Sequence, residues 1–322
     1  MDSRRSTQLI RRTIALLYVG VLVLVPLVVV TWKTVSPGPS AFWKAISSDQ
    51  AVTAFRLTAE IALASVALNA VFGVGLGLLI TRYRFPGRRL LSALADLPLS
   101  VSPIVVGLAL VLVYGPVDGW FGSTLDSAGI KIIFSLPGMI LATTFVSFPL
   151  VLREVVPVLA EEGIEQEQAA RVLGASAWQR FLRITLPIIR PALLYGIVLS
   201  LARSIGEYGA VLVVSGNVSG ADQTQTVPLL VGERVQQLEP GAFQLAFLLI
   251  VVTVLVIVLV FLRRRENESK HSEPPAVVLD DLALSAADPA PTALALDRAA
   301  SNDAASNDVA LDSVAPNKGG LR

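Results

Sequence analysis

Two ionisable residues, Arg203 and Glu207, stand four positions apart within a long apolar stretch of the sequence. On a helix, side chains at this spacing lie on one face and can form an ion pair. Because charge inside a membrane segment is costly, such a pair is a functional-site hypothesis by default. We expect Arg203 to face a central path and to attract an anion transiently, with Gly206 and Gly209 permitting close packing or a bend at a gate. The alternative is a self-neutralising pair that keeps the helix insertable.

Other reactive chemistry has little support in the sequence. The chain has no cysteine, which excludes disulfides, thiolate catalysis and cysteine metal sites. Its one histidine, His271, stands in a polar tail and is expected to be solvated rather than to act as a ligand or base. No Gly-rich loop ending in Gly-Lys-Ser/Thr is present. We therefore expect no catalytic residue, no metal site, no nucleic-acid partner and no ATP hydrolysis by this chain itself.

A polar island interrupts the apolar sequence at about residues 159–186. It contains the run Glu167-Gln168-Ala169-Ala170-Arg171-Val172-Leu173-Gly174 and, nine residues later, Ile184-Thr185-Leu186-Pro187. Acidic side chains favour a helix start, glycine favours a helix end, and Ser176 with Gln179 has the capping-box spacing. This pattern predicts a helix, a turn at Gly174 and a second helix along the membrane face, with Pro187 opening the next span. So long a connection between helices suggests a function of its own, and we interpret it as a docking element.

The composition indicates that the bilayer is the solvent of most of the chain. The hydrophobic fraction is 53% and the mean hydropathy is +0.66. Apolar stretches near the length needed to cross a hydrocarbon core predict six transmembrane helices in an all-α, polytopic membrane protein. Their expected bounds are 13–32, 54–80, 94–114 with Pro98 and Pro103 interrupting its start, 136–156 interrupted by Pro149, 187–215 and 242–262. Gly73 and Gly77 form a small-xxx-small pair for close helix packing, and residues 216–241 are expected to be a loop.

The distribution of basic residues predicts the topology, because Lys and Arg accumulate in short cytoplasmic loops. With the N-terminus inside, the cytoplasmic segments as far as Arg265 hold sixteen basic residues: Arg4, Arg5, Arg11, Arg12, Arg82, Arg84, Arg88, Arg89, Arg153, Arg171, Arg180, Arg183, Arg190, Arg263, Arg264 and Arg265. The outer segments hold four, namely Lys33, Lys44, Lys131 and Arg234. This predicts a cytoplasmic N-terminus at 1–12, a six-span permease domain at 13–263 with a cytoplasmic coupling loop at about 159–186, and a cytoplasmic tail at 264–322. The composition of that tail predicts disorder.

The polar island resembles the EAA loop of ATP-binding-cassette importer permeases, through Gln168-Ala169-Ala170, Gly174 and the Ile184-x-Leu186-Pro187 ending. Segments outside the island are similar to permeases of the sulfate/thiosulfate CysW type: 96–103, 129–134 with Pro137-Gly138, Arg153-Glu154 and 202–210. The resemblance implies a type I ABC importer permease of MetI-like architecture in the bacterial plasma (inner) membrane. It also implies a second permease subunit, a dimer of cytoplasmic ATPases that use ATP and Mg²⁺, and a periplasmic or lipid-anchored sulfate-binding protein.

Carried over by position, Gln168, Ala169, Ala170 and Gly174 would be contacts that couple the permease to the ATPase. Gln168 departs from the family pattern, which has a glutamate there. Glu167, one residue earlier, points elsewhere on the helix and is only a partial substitute for that charge. The resemblance implies that the anion near Arg203 is a divalent oxyanion. It does not distinguish among sulfate, thiosulfate, molybdate and selenate. The other interpretations are a molybdate/tungstate permease, an ion-driven secondary transporter, and a membrane scaffold without transport.

Overall fold

The computed structural model describes residues 2–117, 119–218 and 224–271, without the side chains of 2–10, 15, 259–261 and 263–271. Within these ranges all regular secondary structure is helical, so the predicted all-α class is confirmed. Thirteen α-helices and one π-helical turn occur there: α1 (Asp2–Val35), α2 (Pro39–Ile46), α3 (Asp49–Arg82), α4 (Arg88–Ser100), α5 (Pro103–Tyr114), α6 (Gly122–Ser127), α7 (Leu136–Glu161), α8 (Glu165–Val172), α9 (Ala177–Arg180), the π turn (Phe181–Thr185), α10 (Leu186–Ile205), α11 (Gly209–Ser215), α12 (Val227–Gln236) and α13 (Ala242–His271).

Four helical stretches of the described chain are long and apolar enough to cross a membrane: Arg11–Val35, Asp49–Arg82, Leu136–Glu161 and Ala177–Ile205. The helices α4 and α5 meet the same criteria only as a pair, which would make a fifth span. The apolar part of α13, Ala242–Val258, is shorter. The structure therefore has four or five clear spans where the sequence predicts six.

The predicted third span is not one helix. Its two halves, α4 and α5, are bent by 113° relative to each other. Val101 and Ser102 between them are extended, with ψ of 140° and 133°, and Pro103 begins α5. A residue that precedes proline avoids the helical region, which explains the position of the break. Pro98, the other expected interruption, lies inside α4.

The prediction that Pro149 interrupts the fourth span is wrong. α7 continues through both Pro149 and Pro157. Membrane helices tolerate proline because their neighbours re-satisfy the freed backbone groups. A long intact α7 can therefore run through the middle of the helix packing.

The predicted fifth span, 187–215, is broken near its C-terminal end. α10 ends at Ile205, and α11 begins at Gly209 after a short non-helical link. The loop expected at 216–241 also contains a helix, α12, which packs against α3 and α13 in a cluster of Ala51, Ala54, Val227, Leu230 and Leu245. Buried packing against two other helices explains why this polar segment is ordered as a helix.

The core is built where α3, α7 and α10 pack together. Val74 of α3, Val151 and Val155 of α7 and Ile189 of α10 are buried in one cluster. A Cβ added to Gly73 would lie 2.9 Å from Val151 Cγ1, so only glycine permits this approach. A Cβ on Gly77 would be in ordinary contact with α7. The close packing predicted for Gly73 and Gly77 is confirmed.

At its C-terminal end α13 continues to His271, beyond the predicted boundary at Arg263. The rest of the predicted disordered tail, 272–322, lies outside the described residues.

Candidate coupling surface and membrane ion pairs

The predicted coupling residues gather on α8 and the turn that follows it. Gln168, Ala169 and Gly174 are exposed, and Ala170 is half-buried. Gly174 has a φ of +85°, and no atom lies within 4 Å of a Cβ built on it. Backbone N–H groups of Gly174 and Ala175 donate to the carbonyls of Arg171 and Ala170, each at 3.0 Å, and these bonds close the helix end. The predicted helix end at Gly174 is confirmed.

The second helix of the island begins as expected and then continues further. Ser176 Oγ accepts from the Gln179 N–H at 3.3 Å, and Gln179 Oε1 accepts from the Ser176 N–H at 2.9 Å, which confirms the capping box. α9 then passes through the π turn directly into α10. Pro187 therefore lies within one continuous helical run and does not open a separate span. Single π turns inside α-helices are frequently found at functional sites.

The tip of the island exposes apolar side chains. Val172 is 88% exposed, Leu173 is 87% exposed and Trp178 is 67% exposed. None of the residues of α8 and α9 is buried. Apolar side chains presented together in this way mark interaction surfaces. The patch adjoins Gln168, Ala169 and Gly174, so these residues and the patch form one exposed surface, which we call the candidate coupling surface or, for short, the coupling surface.

Glu167 does not face the same way as this surface. Its Oε1 atom accepts from Arg82 Nη2 at 2.9 Å and Nε at 3.2 Å, and from Thr185 Oγ1 at 3.0 Å. The Arg82 side chain is 13% exposed and that of Glu167 is 24% exposed. Sequence reasoning expected Glu167 to supplement the coupling contacts and missed its partner, because Arg82 lies 85 residues away. The only sequence signal was a basic turn, in which the arginines at 82, 84, 88 and 89 surround Pro86-Gly87.

The Arg203–Glu207 ion pair is present at the break between α10 and α11. Arg203 Nη1 lies 2.6 Å from Glu207 Oε2, with side-chain exposures of 38% and 2%. Glu207 Oε1 also accepts from the Ala210 N–H at 2.9 Å, so the carboxylate caps the first turn of α11. The carboxylate is thus buried and held from both helices, while the guanidinium keeps an exposed side.

The two glycines of this region are placed differently. Gly206 is exposed and ends α10, at the break between α10 and α11. A Cβ added to Gly209 would lie 3.1 Å from Pro103 Cβ and 3.2 Å from Ile104 Cγ1, so Gly209 allows α11 to pack closely on α5. Close packing is therefore seen at Gly209, while a gate at these glycines stays a prediction.

Two further ion pairs join charged residues of the helices. Arg153 Nε of α7 lies 2.8 Å from Asp96 Oδ1 of α4, with side-chain exposures of 56% and 47%. The pair links the two segments Asp96–Pro103 and Arg153-Glu154 that the sequence singled out separately. Arg56 and Glu60, in contrast, form a local pair on α3 at 2.7 Å, with Arg56 79% exposed.

A buried polar seam crosses the packing of α3, α7 and α10. Asn69 Nδ2 of α3 donates to Ser147 Oγ of α7 at 2.7 Å and to Ser200 Oγ of α10 at 3.1 Å. Ser204 Oγ donates to Ser147 Oγ at 3.3 Å. All four residues are 5% exposed or less. Hydrogen bonds of this kind hold membrane helices together, and sequence reasoning did not anticipate them because small hydroxyl residues carry no distinctive pattern.

Comparison with known proteins decides the family. The pattern of the family described as "Binding-protein-dependent transport system inner membrane component" matches residues 73–266, more than half of the chain. The chain belongs to this family. The matched range contains α7, the coupling surface and the Arg203–Glu207 pair, and the family resemblance predicted from the polar island is confirmed.

Curated relatives narrow the family further. The sulfate transport system permease protein CysW of Synechococcus elongatus is 48% identical over 237 residues, which cover 74% of this chain and 82% of that protein. CysW of Escherichia coli is 45% identical over 240 residues, covering 73% and 80%. The sulfate transport system permease protein CysT of Escherichia coli is 38% identical over 237 residues, covering 73% and 84%. The higher identity with CysW agrees with the CysW type expected from the sequence.

Solved structures support the fold. A bacterial ABC transporter involved in the import of the acidic polysaccharide alginate contains a chain with a TM-score of 0.68 and 17% identity, covering 82% of this chain and 97% of that one. The same comparison with an alginate ABC transporter in complex with an alginate pentasaccharide-bound periplasmic protein gives a TM-score of 0.66 and 18% identity, covering 80% and 94%. The helical architecture is therefore that of an ABC importer permease.

Proposed function

We propose that this chain is a membrane permease subunit of an ATP-dependent importer of sulfate or thiosulfate. The observation that carries the proposal is the folded, exposed coupling surface around Gly174 in a chain 45–48% identical to CysW proteins. An ion-driven secondary transporter or a membrane scaffold would have no need of such a surface. The chain supplies the path, and the energy comes from a partner.

The coupling surface binds the cytoplasmic ATPase dimer in this proposal. Gln168, Ala169, Ala170 and Gly174 would seat in a cleft of one ATPase subunit, with Val172 and Leu173 adding apolar contact area. ATP and Mg²⁺ would be bound by that partner. Glu167 would support α8 from behind, since its carboxylate is bound to Arg82 and Thr185.

The membrane arrangement in this proposal has six spans with both termini in the cytoplasm. The spans are α1, α3, the bent pair α4–α5, α7, the run from α9 to α10, and α13. A second permease subunit of the CysT type would complete the path, and a periplasmic or lipid-anchored sulfate-binding protein would deliver the anion. The excess of basic residues in one set of loops supports a bacterial plasma (inner) membrane location with this orientation.

The anion would pass the Arg203–Glu207 pair. The exposed side of the guanidinium offers donors that match an oxyanion, while Glu207 neutralises the arginine when no anion is present. Because Glu207 also caps α11, an anion that competes for Arg203 would disturb the α10–α11 link. This arrangement suits a gate that opens at the bend beside Gly206.

Uptake of labelled sulfate tests the proposal in cells that lack their own sulfate permease and express the complete complex. We expect uptake that requires an active partner ATPase and that is competed by thiosulfate but not by molybdate. Preferential molybdate uptake would overturn the anion assignment in favour of a molybdate/tungstate permease. Uptake that persists with an inactive ATPase would instead indicate an ion-driven transporter, and no uptake of any oxyanion would indicate a scaffold.

A further inference from the structure

Arg82 makes an unusual set of contacts for a residue in a basic turn. The other arginines of that turn, Arg84, Arg88 and Arg89, are exposed or half-buried without hydrogen bonds that tie them to a span. Arg82 instead directs Nε and Nη2 to Glu167 of α8 and Nη1 to the Leu159 carbonyl of α7, the latter at 2.8 Å. One guanidinium at the end of α3 therefore holds two other helices.

Each of these contacts lies at a helix end, where the helix dipole favours a charge of the sign that is present. Leu159 lies in the last turn of α7, where backbone carbonyls lack partners within the helix. A cation there is also favoured by the helix dipole. Glu167 lies in the first turn of α8, where the dipole favours an anion. The two side chains therefore attract each other, and each charge is also favoured by the dipole of the helix end at which it lies.

The same carboxylate reaches a fourth element. Thr185, which is 4% exposed, donates its hydroxyl to Glu167 Oε1 from the last residue of the π turn that leads into α10. Among the described residues, the side-chain hydrogen bonds from α8 to the long helices all run through Glu167. No residue of α8 is buried, so apolar packing does little to hold this helix in place.

We propose that Arg82, Glu167 and Thr185 form an internal clasp that makes the coupling helix move together with the cytoplasmic ends of α3, α7 and α10. These are the three helices that pack as the core and share the Asn69 seam. A displacement of α8 by the ATPase then reaches three spans at once, instead of travelling only along the chain. The inference rests on the proposed function, and it makes Arg82 and Glu167 positioning residues rather than contacts with the ATPase.

The test uses the complete complex in proteoliposomes with four variants: Arg82→Gln, Glu167→Gln, the double variant, and Thr185→Val. Exposed residues of the same turn and helix provide the matched controls Arg84→Gln and Glu165→Gln. Three quantities are measured, namely co-purification of the ATPase, ATP hydrolysis without binding protein, and the stimulation of hydrolysis and uptake by anion-loaded binding protein.

We expect the clasp variants to retain the ATPase and its unstimulated hydrolysis, while stimulation and uptake fall at least about fivefold, the lower end of typical coupling between sites. The loss in the double variant should be smaller than the sum of the two single losses, because both single variants remove the same Arg82–Glu167 ion pair. Additive losses, full coupling in Glu167→Gln, or equal losses in the controls would overturn the clasp. Loss of the ATPase from Glu167→Gln would also overturn it, by making Glu167 a direct docking contact. A wild-type complex that carries an oxyanion other than sulfate would revise the proposed substrate and leave this test valid.

Discussion

At the residue scale, neighbouring residues of the island have opposite orientations. Gln168 is exposed on the coupling surface, whereas Glu167 is bound to Arg82 and Thr185. A charge in the position before the family's usual glutamate therefore does not replace that glutamate toward a partner. In the proposed complex, the coupling surface would depend on apolar contacts and the amide of Gln168.

The Arg203–Glu207 pair yields a prediction at the same scale. Arg203→Ala alone would leave a buried carboxylate without its cation, which for a fully buried pair costs about 3–5 kcal/mol, and less here because Arg203 is 38% exposed. The variant Arg203→Met with Glu207→Gln removes both charges and keeps an amide oxygen as acceptor for the Ala210 N–H. We expect this complex to assemble but to lose labelled-anion uptake.

Assembly is checked by co-purification of the ATPase with the double variant. The matched control is Arg56→Met with Glu60→Gln, an exposed pair of the same spacing on α3. Normal uptake in the assembled Arg203/Glu207 variant would show that the pair is structural.

At the element scale, the π turn is the feature that changes the interpretation of the island. The second island helix is fused to the fifth span, so α9 and α10 form one helical run from Ala177 to Ile205. A displacement of α9 would therefore be transmitted along this run to the Arg203–Glu207 pair at its other end. The glycine turn at Gly174 separates this run from α8, and the clasp reconnects them.

Gly174→Asp tests the coupling surface as an element. Its Cβ would meet open space, so the fold should survive, with a backbone cost of about 1–2 kcal/mol for a side chain in the left-handed region. The new carboxylate would stand beside Val172 and Leu173 and oppose docking of an apolar surface. We expect the ATPase either to be lost on co-purification or to hydrolyse ATP without transport.

Gly129→Asp is the matched control, since Gly129 also has a positive φ, +71°, and open space around its Cβ, but lies in the predicted outer loop. This variant should retain transport. Unchanged ATPase recruitment and uptake in Gly174→Asp would remove the coupling surface from the proposal.

At the scale of the whole molecule, three kinds of interhelical contact hold α3, α7 and α10 together. These are the close packing at Gly73, the Asn69 seam and the Arg82 clasp. The helices α5 and α11 pack against α7 in a cluster that includes Val106, Val146 and Val214, while α4 packs against α3 and α7 in another cluster. The break beside Gly206 lies near the break at Val101-Ser102, because Gly209 packs closely on Pro103. In the proposed importer, the packed trio would be the rigid part, and motion would occur at these two breaks.

The proposed orientation is testable because the chain contains no cysteine. Single variants Arg84→Cys and Ser123→Cys place a thiol at exposed sites on opposite predicted sides of the membrane. A membrane-impermeant maleimide applied to spheroplasts should label Ser123→Cys and leave Arg84→Cys unlabelled until the cells are opened. The reverse pattern would invert the topology, and labelling of both sites in intact spheroplasts would contradict a membrane crossing by the bent pair α4–α5, which lies between them.

The sequence alone determined the helical class, most of the long apolar helices, the glycine turn with its capping box, and the Arg203–Glu207 spacing. These features depend on residues within a turn or two of one another, where hydrophobic length, capping and helix periodicity act directly. The effect of the prolines was not determined in this way. Pro103 breaks a helix and Pro149 does not, since the outcome depends on what packs against the freed backbone.

Only the tertiary structure decided which charged residues that are distant in the sequence form ion pairs. Arg82 with Glu167 and Asp96 with Arg153 are separated by 85 and 57 residues, so no local pattern connects them. The same holds for Asn69 with Ser147 and Ser200. Their partners are selected by the alignment of α3, α7 and α10, which brings helix ends and polar positions to the same depth. The interpretation of the island as a coupling loop came from its sequence, while its attachment to the other helices depended on how those helices pack.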